Sequence, residues 1–332
     1  MTAPMSVTVL AGGYGGAKLS HGFARIAAER RLHLSVVVNT GDDLELHGLA
    51  VSPDLDTVMY TLAELADTTM GWGVRDETWS AAALLERYGA ETWFRLGDRD
   101  LATHIRRTQR LREGATLTDV TAELATALGV TTRLLPVTDD RLRTRVRTDQ
   151  GWLDFQDWFV RRHHADAALE IRFDGAAEAR PSAGVITAIE AADLLMMAPS
   201  NPFVSIGTIL AVPDVEAALR SAAAPLVAVS PIVGGQALRG PADRMFESLG
   251  GEASALGVAR LYEERYPGLL DAIVIDIVDE HLAVPIEALG IPVLVAQTVM
   301  KTDDDRAALA AAILDAFPVD PDPRRPPPTM TR

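Results

Sequence analysis

The first 40 residues combine a short strand, a glycine-rich turn, a helix and a second strand, and this order limits the possible folds more than any other feature. A β-branched run at 7–10 is followed by glycines, and residues 18–30 carry apolar side chains at helical spacing. A second apolar run at 34–38 shows no alternation, as expected of a strand buried on both faces. Strand, helix and strand in this order predict a parallel, right-handed βαβ unit.

The same alternation of helices and apolar strands resumes near residue 183. Helical patterns cover 185–192, 214–222, 253–265 and 280–289, strands are predicted at 194–198, 226–230, 272–277 and 293–296, and a last helix ends at Phe317. We therefore predict an α/β fold with a doubly wound, Rossmann-like, mostly parallel sheet. Ligands of such sheets bind at the carboxyl ends of the strands.

The middle of the chain differs in composition. All five tryptophans lie between 72 and 158, helical patterns cover 79–88, 101–112 and 117–128, and residues 143–160 alternate as a hairpin does. The predicted domains are a nucleotide-binding core of 1–67 and 181–317 and an inserted cap of mixed helices and hairpin at 68–180. The proline-rich tail 318–332 is predicted to be disordered.

Composition excludes several classes of protein. Hydrophobic residues make up 48% and charged residues 23% of the 332, which excludes a wholly disordered chain. The net charge of −15 opposes binding to nucleic acid or to anionic membranes. Cysteine is absent, so disulfides and thiolate metal sites are excluded. Because no apolar run reaches 18 residues and the start is not basic, we expect a soluble, cytoplasmic protein with no membrane partner.

The glycine-rich turn predicts a phosphate site. Glycines let the backbone approach an anion closely, and the N-terminus of the following helix adds free N–H groups and partial positive charge. Lys18 can reach a phosphate oxygen as a point charge. The sequence matches neither a Walker A motif nor a dinucleotide-binding fingerprint. A tight strand-to-helix turn without a ligand is the alternative.

Four acidic residues follow the second strand. Asp42 and Asp43 come directly after it, and Asp54 and Asp56 open the next helix. Carboxylates beside a phosphate site suit a hard divalent cation, and such a cluster is costly unless it binds a cation or a proton. The alternatives are an Asx turn for the first pair and a helix N-cap for the second.

Three further segments carry candidate ligand contacts. In the cap, Trp93 and Phe94 precede Arg95 and an Asp-Arg-Asp run, which suits a flat, polar heterocycle, although a helix start with surface ion pairs is an equal alternative. His104 alone is weak evidence, since a lone helical histidine is more often structural. After two core strands, the segments at 198–202 and 230–235 place small polar residues where they can bind phosphate or a nucleobase, ordinary turns being the alternative.

Eight motifs along the chain resemble those of the 2-phospho-L-lactate transferase family, whose actinobacterial branch is called phosphoenolpyruvate transferase. In chain order they are G-G-x-G-G-x-K, N-x-G-D-D, S-P-D-L-D-T, W-G-x-R-x-E-T-W, L-G-D-R-D-x-A-T-H, F-Q-D-W, P-S-N-P-x-x-S-I-G and S-P-I-x-x-G. Their order and spacing hold from about residue 6 to 315. The pair P-D-L-D-T and L-G-D-R-D-x-A-T-H is specific, and on these motifs the chain is identified as a member of that family.

The resemblance implies a Mg²⁺-dependent enzyme of deazaflavin coenzyme (F-420) biosynthesis. Such enzymes transfer the phosphate bearing an acid from a guanosine diphosphate ester of lactate, enolpyruvate or glycerate to the ribityl hydroxyl of 7,8-didemethyl-8-hydroxy-5-deazariboflavin, and GMP leaves. The expected partners are this donor and this acceptor, and a homodimer is the family's usual assembly. Which of the three acids is transferred stays open.

The matching motifs imply roles for individual residues of this chain. Asp42 is similar to a metal-binding position, Asp56 and Arg95 match deazaflavin contacts, and Asp56 is a second candidate metal ligand. Asp42, Asp56 and Lys18 are the expected catalytic residues. The guanosine diphosphate ester is expected to contact Gly12, Gly13, Gly15, Gly16, Lys18, Ser200, Asn201 and Ser230. Residues 14–17 read Tyr-Gly-Gly-Ala, where archaeal members tend to have Thr-Gly-Thr-Pro.

Two other functions compete with this interpretation. A group with a similar glycine turn and Asp-Asp pair consists of nucleotide-sugar-binding regulators without turnover, but these lack the two specific motifs that this chain has. An NAD-dependent oxidoreductase is disfavoured because the glycine pattern is wrong and the acid expected after the second strand is displaced into an Asp pair.

Overall fold

The computed structural model describes residues 4–318. The predicted disordered tail therefore lies, from residue 319 onward, outside the described residues. Within the described range the strands, numbered along the chain, are β1 (Met5–Ala11), β2 (Leu32–Val38), β3 (Leu44–Leu46), β4 (Leu49–Val51), β5 (Arg133–Pro136), β6 (Arg143–Thr148), β7 (Gly151–Asp154), β8 (Glu170–Asp174), β9 (Leu194–Met197), β10 (Leu226–Val229), β11 (Ile232–Val233), β12 (Gln236–Ala237), β13 (Ala272–Asp276) and β14 (Val293–Ala296).

The helices alternate with these strands over most of the chain. They are α1 (Gly13–Arg30), α2 (Pro53–Leu62), α3 (Ser80–Arg87), α4 (Asp98–Arg112), α5 (Leu117–Ala127), α6 (Val185–Glu190), α7 (Gly207–Leu210), α8 (Val215–Ser221), α9 (Ala242–Ser248), α10 (Ala255–Arg265), α11 (Ala283–Glu287) and α12 (Asp303–Ala316). Short π-helical turns occupy Asp157–Arg161 and Pro202–Ile206, and a 3₁₀ helix occupies Ile277–Leu282.

Seven strands form the central sheet in the order β14-β13-β10-β9-β1-β2-β5. Every neighbouring pair in it is parallel. The chain builds outward from β1 in one direction and then returns to its other side at β9, so the order reverses between β1 and β9. The predicted doubly wound α/β fold is confirmed, and the reversal marks the place where such folds bind ligands.

Helices cover both faces of the sheet, because alternate residues of its strands enter opposite apolar layers. Val9 and Val274 belong to the layer that contains α1, α2 and α12. Leu10 and Ile275 belong to the layer that contains α6, α8 and α10. Strands buried on both faces explain the continuous apolar runs seen in the sequence.

The predicted cap range 68–180 is wrong in one respect: β5 lies inside it and is the edge strand of the central sheet, paired with β2. Leu134 and Leu135 are both buried and point into the two opposite apolar layers, which is why this short segment is drawn into the sheet. The insertion is thus split into a helical part with α3, α4 and α5 and a three-stranded antiparallel part ordered β7-β6-β8.

The glycine segment differs from the prediction as well. The helix was expected from Lys18, but α1 begins at Gly13, so most of the glycine turn is its first turn. Gly12 is the N-cap residue, and Gly13 has a φ of +62°. Within residues 4–318, no single helix has the length and apolar composition to cross a membrane. Two helical segments joined by a sharp bend, Pro202–Leu210 and Val215–Ser221, reach that length and apolar composition only when they are taken together.

Candidate functional site

The glycine helix α1 and the segment after β9 meet closely where the strand order reverses. The Gly12 N–H donates to Ser200 Oγ (3.0 Å), and the Ser200 hydroxyl donates to the Gly12 carbonyl (2.8 Å). A Cβ on Gly15 would lie 2.2 Å from the Pro199 carbonyl oxygen, and one on Gly16 would lie 2.7 Å from Ser200 Oγ. Close packing inside the protein therefore favours glycine at two of the predicted donor-binding positions, without any ligand.

The side chain of Asp54 lies beside the start of α1. A Cβ on Gly12 would stand 2.6 Å from Asp54 Oδ2, and the Gly13 backbone N–H donates to this carboxylate. The partial positive charge of the helix N-terminus thus already faces an anion that belongs to the protein. The predicted N-cap role of Asp54 or Asp56 is wrong, because Ser52 is the N-cap residue of α2 and both acids lie in its first turn.

Asp42, Asp43 and Asp54 form an acid cluster after β2, in which Asp42 and Asp54 are buried and Asp43 is half-buried. Asn39 Nδ2 donates to Asp54 Oδ2 (2.9 Å), and Ser52 Oγ donates to Asp43 Oδ2 (2.9 Å). The Oδ1 atoms of Asp42 and Asp43 are buried without a hydrogen-bond partner among the described residues. Three carboxylates are thus held together with part of their hydrogen-bonding capacity unused.

Burial raises the pKa values of all three carboxyl groups. Burial and then the charge of Asp54 raise the pKa of Asp42 well above its ordinary value, against hydrogen bonds from Asn39 and Thr144. Burial raises the pKa of Asp43 to about 7 and that of Asp54 to about 6. Near neutral pH the cluster holds its full negative charge only at a cost, which a bound cation would offset.

The carboxylate oxygens of the acid cluster fit a magnesium ion if a substrate supplies further ligands. Mg²⁺ commonly takes one or two carboxylates from the protein and completes its shell with water and substrate phosphates. Across residues 4–318, no group of three or more His, Asp or Glu side chains is placed to hold a metal by itself. The unpartnered oxygens of Asp42 and Asp43 therefore suit a magnesium ion that a substrate helps to hold, and not a metal held by protein ligands alone.

Asp56 lies in a separate, fully paired arrangement. Both of its carboxylate oxygens accept from the guanidinium of Arg107, at 3.0 Å for Nη1 and Oδ2 and with Nη2 on Oδ1. Asp56 and Arg107 are 5% and 1% exposed. A metal at Asp56 would have to displace this ion pair, so the pairing opposes the predicted metal-ligand role of Asp56.

The Asp56–Arg107 pair continues into a buried polar network between α2 and α4. His104 Nδ1 lies 3.3 Å from Arg107 Nη1, and His104 Nε2 lies 3.2 Å from Asp100 Oδ1. The Tyr60 hydroxyl donates to the same Asp100 oxygen (2.7 Å). Burial alone would raise the pKa of Asp100, but the interactions with His104, Tyr60 and Arg107 together outweigh it and lower that pKa. His104 is thus a structural residue of this network.

Lys18 projects from the second turn of α1 toward Tyr14. Its Nζ donates to the Met300 carbonyl (2.6 Å) and lies 4.5 Å from the centre of the Tyr14 ring. The guanidinium of Arg239 lies 4.7 Å from the centre of the same ring. Burial, then the charges of Arg306 and Arg239, lower the pKa of Lys18 to about 8. Two cations beside one aromatic ring make this side of α1 attractive to an anion.

The other predicted donor contacts use their side chains within their own turns. Asn201 Oδ1 accepts from the backbone N–H groups of Phe203 (2.9 Å) and Val204 (3.3 Å), as an N-cap does. Ser230 Oγ donates to the Ile232 carbonyl (2.9 Å) and lies 3.2 Å from the Ile232 nitrogen. These contacts match the alternative of ordinary turn chemistry, and a role in donor binding stays a prediction.

In the cap, two of the specific motifs fold against each other. Glu77 accepts from the backbone N–H groups of Arg99 (2.6 Å) and Asp100 (3.1 Å) at the start of α4. Asp98, in turn, accepts from the Ser80 N–H (3.0 Å) at the start of α3. Each motif thus caps the helix that begins in the other, which fixes the mutual position of α3 and α4.

Arg95 lies on an exposed aromatic surface of this capped unit. Its guanidinium is 4.2 Å from the centre of the Trp79 ring, and Trp79 meets Trp72 edge-on with ring centres 5.9 Å apart. Trp72 is 38% exposed. Arg95 and Asp56, the two predicted acceptor contacts, thus have separate partners in the structure. An exposed arginine with two indoles presents flat surfaces to solvent, as stacking of a heterocycle requires.

Arg107 is the important site residue that the sequence reasoning missed. A signal existed: Asp100, His104 and Arg107 recur at helical spacing on one face of a predicted helix, too polar a stripe for a face that packs on the core. Asn39, whose amide donates to Asp54, also belongs to the site, and its signal in the sequence is its position as the first residue after a predicted strand.

Comparison with known proteins identifies close relatives. The sequence model of the family described as 2-phospho-L-lactate transferase CofD matches residues 7–308. The phosphoenolpyruvate transferase of Kitasatospora aureofaciens is 44% identical over 318 residues, which cover 93% of this chain and 98% of that protein. The phosphoenolpyruvate transferase of Mycobacterium avium (strain 104) is 46% identical over 292 residues, which cover 80% and 87%.

A solved structure is similar in fold. A protein of Bacillus halodurans described as a member of the upf0052 family superposes with a TM-score of 0.66 at 14% sequence identity, covering 95% of this chain and all of that one. At that identity the match extends to the α/β architecture alone.

Proposed function

Because this chain belongs to the 2-phospho-L-lactate transferase family, we propose that it moves a phosphate-linked enolpyruvyl or lactyl group from a guanosine diphosphate ester to the ribityl hydroxyl of 7,8-didemethyl-8-hydroxy-5-deazariboflavin. Its relatives make it a transferase of the phosphoenolpyruvate and 2-phospho-L-lactate type, acting in coenzyme F-420 biosynthesis. The non-catalytic regulator considered above is therefore not retained. The donor, the acceptor and a requirement for Mg²⁺ are the proposed details.

The acid cluster is the observation that best supports this proposal. Asp42, Asp43 and Asp54 lie together after β2, next to the reversal of strand order, and all three have raised pKa values. Asp42 and Asp43 each have a buried oxygen without a hydrogen-bond partner among the described residues. A diphosphate ester that brings a divalent cation would use those oxygens and neutralise the cluster. A hydride-transfer site has no need of such a cluster.

In the proposed reaction the ribityl hydroxyl attacks the phosphorus that bears the acid. The bond from that phosphorus to the oxygen of the GMP phosphate breaks, GMP leaves with the bonding electron pair, and the hydroxyl proton passes to solvent. Such transfers depend on positioning and charge neutralisation more than on covalent help from the protein. When bound, Mg²⁺ would neutralise phosphate charge from the side of Asp42 and Asp43.

The remaining residues position the two substrates in this proposal. Lys18, together with Arg239, supplies positive charge beside the first turns of α1, where the diphosphate is expected. Arg107 holds the carboxylate of Asp56 in a fixed place. Trp72, Trp79 and Arg95 offer the flat acceptor a stacking surface. We further propose a cytoplasmic homodimer.

The proposal is tested by incubating the protein with Mg²⁺, the deazaflavin and, separately, each guanosine donor, followed by mass spectrometry of the product. We expect GMP and one phosphate-linked product. Asp42→Asn should abolish turnover, while Asp149→Asn, at the exposed turn between β6 and β7, should act like the wild type. Product formation that persists in chelator, or a normal rate for Asp42→Asn, would contradict the metal assignment. No product with any donor would contradict the function.

A further inference from the structure

Strand β6 carries three arginines on one face, and they differ in what they contact. Arg145 lies 3.4 Å from Asp154, and Arg147 lies 2.8 Å from Glu170. Both ion pairs are cross-strand pairs within the small antiparallel sheet and resemble ordinary surface pairs of sheets. Arg143 is the third arginine of this face and begins the strand.

Arg143 has no comparable partner among residues 4–318. Its cross-strand neighbour is Asp174, but Arg172 binds that carboxylate at 2.5 Å. Within the part of the chain that the structure describes, no carboxylate lies within 4.0 Å of the Arg143 guanidinium, which donates only to the adjacent Leu142 carbonyl (2.6 Å). Arg143 is half-buried. Because none of the remaining guanidinium nitrogens of Arg143 is buried, these N–H groups are accessible and can bind an anion.

The acid cluster lies opposite this arginine. The Thr144 N–H donates to the Gly41 carbonyl (2.8 Å), so the start of β6 is fixed against the loop that carries Asp42 and Asp43. The charges of both carboxylates act on Arg143, and Arg143 in turn opposes the rise in the pKa of Asp43. Yet these groups do not touch. This contrasts with Asp56 and Arg107, which form direct hydrogen bonds.

Unused donors on one side and unpartnered carboxylate oxygens on the other define what would fit between them. The acids need a cation, and the arginine needs anionic oxygens, which a diphosphate with its magnesium ion supplies together. We propose that Arg143 is a further substrate-binding residue, which holds the diphosphate of the donor from the side opposite Asp42 and Asp43. This inference rests on the proposed function, since it takes the donor to be a diphosphate ester.

Binding measurements test this role without relying on turnover. Isothermal titration calorimetry would measure the affinity of the wild type, of Arg143→Gln and of the matched control Arg147→Gln for Mg²⁺–pyrophosphate and for Mg²⁺–GDP. Removing one charge-assisted contact to a phosphate lowers the affinity by roughly 10- to 150-fold. We expect that loss for both probes in Arg143→Gln, and affinities within about twofold of the wild type in Arg147→Gln, whose ion pair is exposed.

Thermal melting separates a binding role from a structural one. Because Arg143 makes no direct ion pair with a described residue, weaker probe binding in Arg143→Gln without a comparable fall in melting temperature would support a binding role. If Arg143→Gln does not fold, Arg143→Lys decides: it keeps a point charge without the planar fork, so weaker binding of both probes supports the role and unchanged binding overturns it.

The outcomes distinguish this inference from the proposed function. In one outcome the wild type binds pyrophosphate but not GDP, and pyrophosphate binding is weakened in Arg143→Gln. That result would contradict the guanosine donor and leave the role of Arg143 intact. Equal binding of both probes by Arg143→Gln and the wild type would overturn the role of Arg143 while the guanosine donor stands. A wild type that binds neither probe would also overturn it.

Discussion

Replacing Asp54 by asparagine should make the metal-free protein more stable. Asp54 is 7% exposed, and among residues 4–318 its only side-chain donor is Asn39 Nδ2 at 2.9 Å. Asparagine keeps the shape and removes the charge. Burial raises the pKa of this carboxyl group from 3.8 to about 6. That difference corresponds to about 3 kcal/mol of stability lost when Asp54 is ionised.

The pH dependence follows from the direction of the shift. Folded protein binds the Asp54 proton more tightly than the unfolded chain, so the wild type loses stability as the pH rises from about 4 to about 6, and the loss is complete above that. For a chain of 332 residues, about 3 kcal/mol corresponds to about 4 °C in melting temperature. Asp54→Asn should therefore melt about 4 °C higher than the wild type at pH 8 and about half as much higher at pH 5.

Scanning calorimetry in EDTA at the two pH values would measure these differences. Asp276→Asn is the matched control, because Asp276 is also buried but accepts from the Thr298 N–H (2.7 Å), the Thr298 hydroxyl (2.9 Å) and the Val278 N–H (3.1 Å). That variant should melt lower than the wild type, since it disturbs satisfied hydrogen bonds. An Asp54→Asn variant that melts at or below the wild type at pH 8, or whose gain is the same at both pH values, would refute the reasoning.

Three further predictions follow from other parts of the site. Lys18→Met should weaken GDP binding about 10- to 150-fold at pH 7. The affinity of the wild type for GDP should itself fall above pH 8, because Lys18 loses its proton there. Calorimetric titrations with GDP at pH 7 and 9 would detect both effects. Arg107→Met should cost about 3–5 kcal/mol in urea unfolding because it leaves Asp56 buried and unpaired, and Asp56→Asn added to it should recover part of that loss. Gly15→Ala should cost about 1–3 kcal/mol in the same assay, since its Cβ would meet the Pro199 carbonyl at 2.2 Å; an unchanged urea midpoint would show that the segment moves aside freely.

Local sequence patterns predict most of the central sheet because its strands are long apolar runs with helices between them. The strands β9, β10 and β13 and the helices α4 and α5 lie within one to three residues of their predicted bounds. The strand β5 could not be predicted in this way. Its sequence Arg-Leu-Leu-Pro is too short to show a period, and its partner β2 lies almost 100 residues earlier in the chain.

The site shows the same division between local and distant information. The acidic residues after β2 are recognisable because strand ends in such sheets bind ligands. The ion pair between Asp56 and Arg107 is not recognisable in the sequence. Arg107 lies 51 residues from Asp56, and nothing near Asp56 indicates that an arginine binds it. Arg143 is equally hidden, because its lack of a partner depends on which acids its strand neighbours take.

The position of β5 has a consequence for exchanging parts between related enzymes. The helical insertion leaves the core after α2 and returns at β5, whereas the antiparallel insertion leaves after β5 and returns near Ser182. The second junction is narrow: the Thr138 hydroxyl donates to the Arg180 carbonyl (2.6 Å), and the Ser182 hydroxyl donates to the Pro136 carbonyl (2.5 Å). A graft that cuts at 138 and 180 would replace the antiparallel module and leave the sheet edge in place, whereas excising 68–180 as one block would strip β2 of its neighbour and expose an unpaired edge.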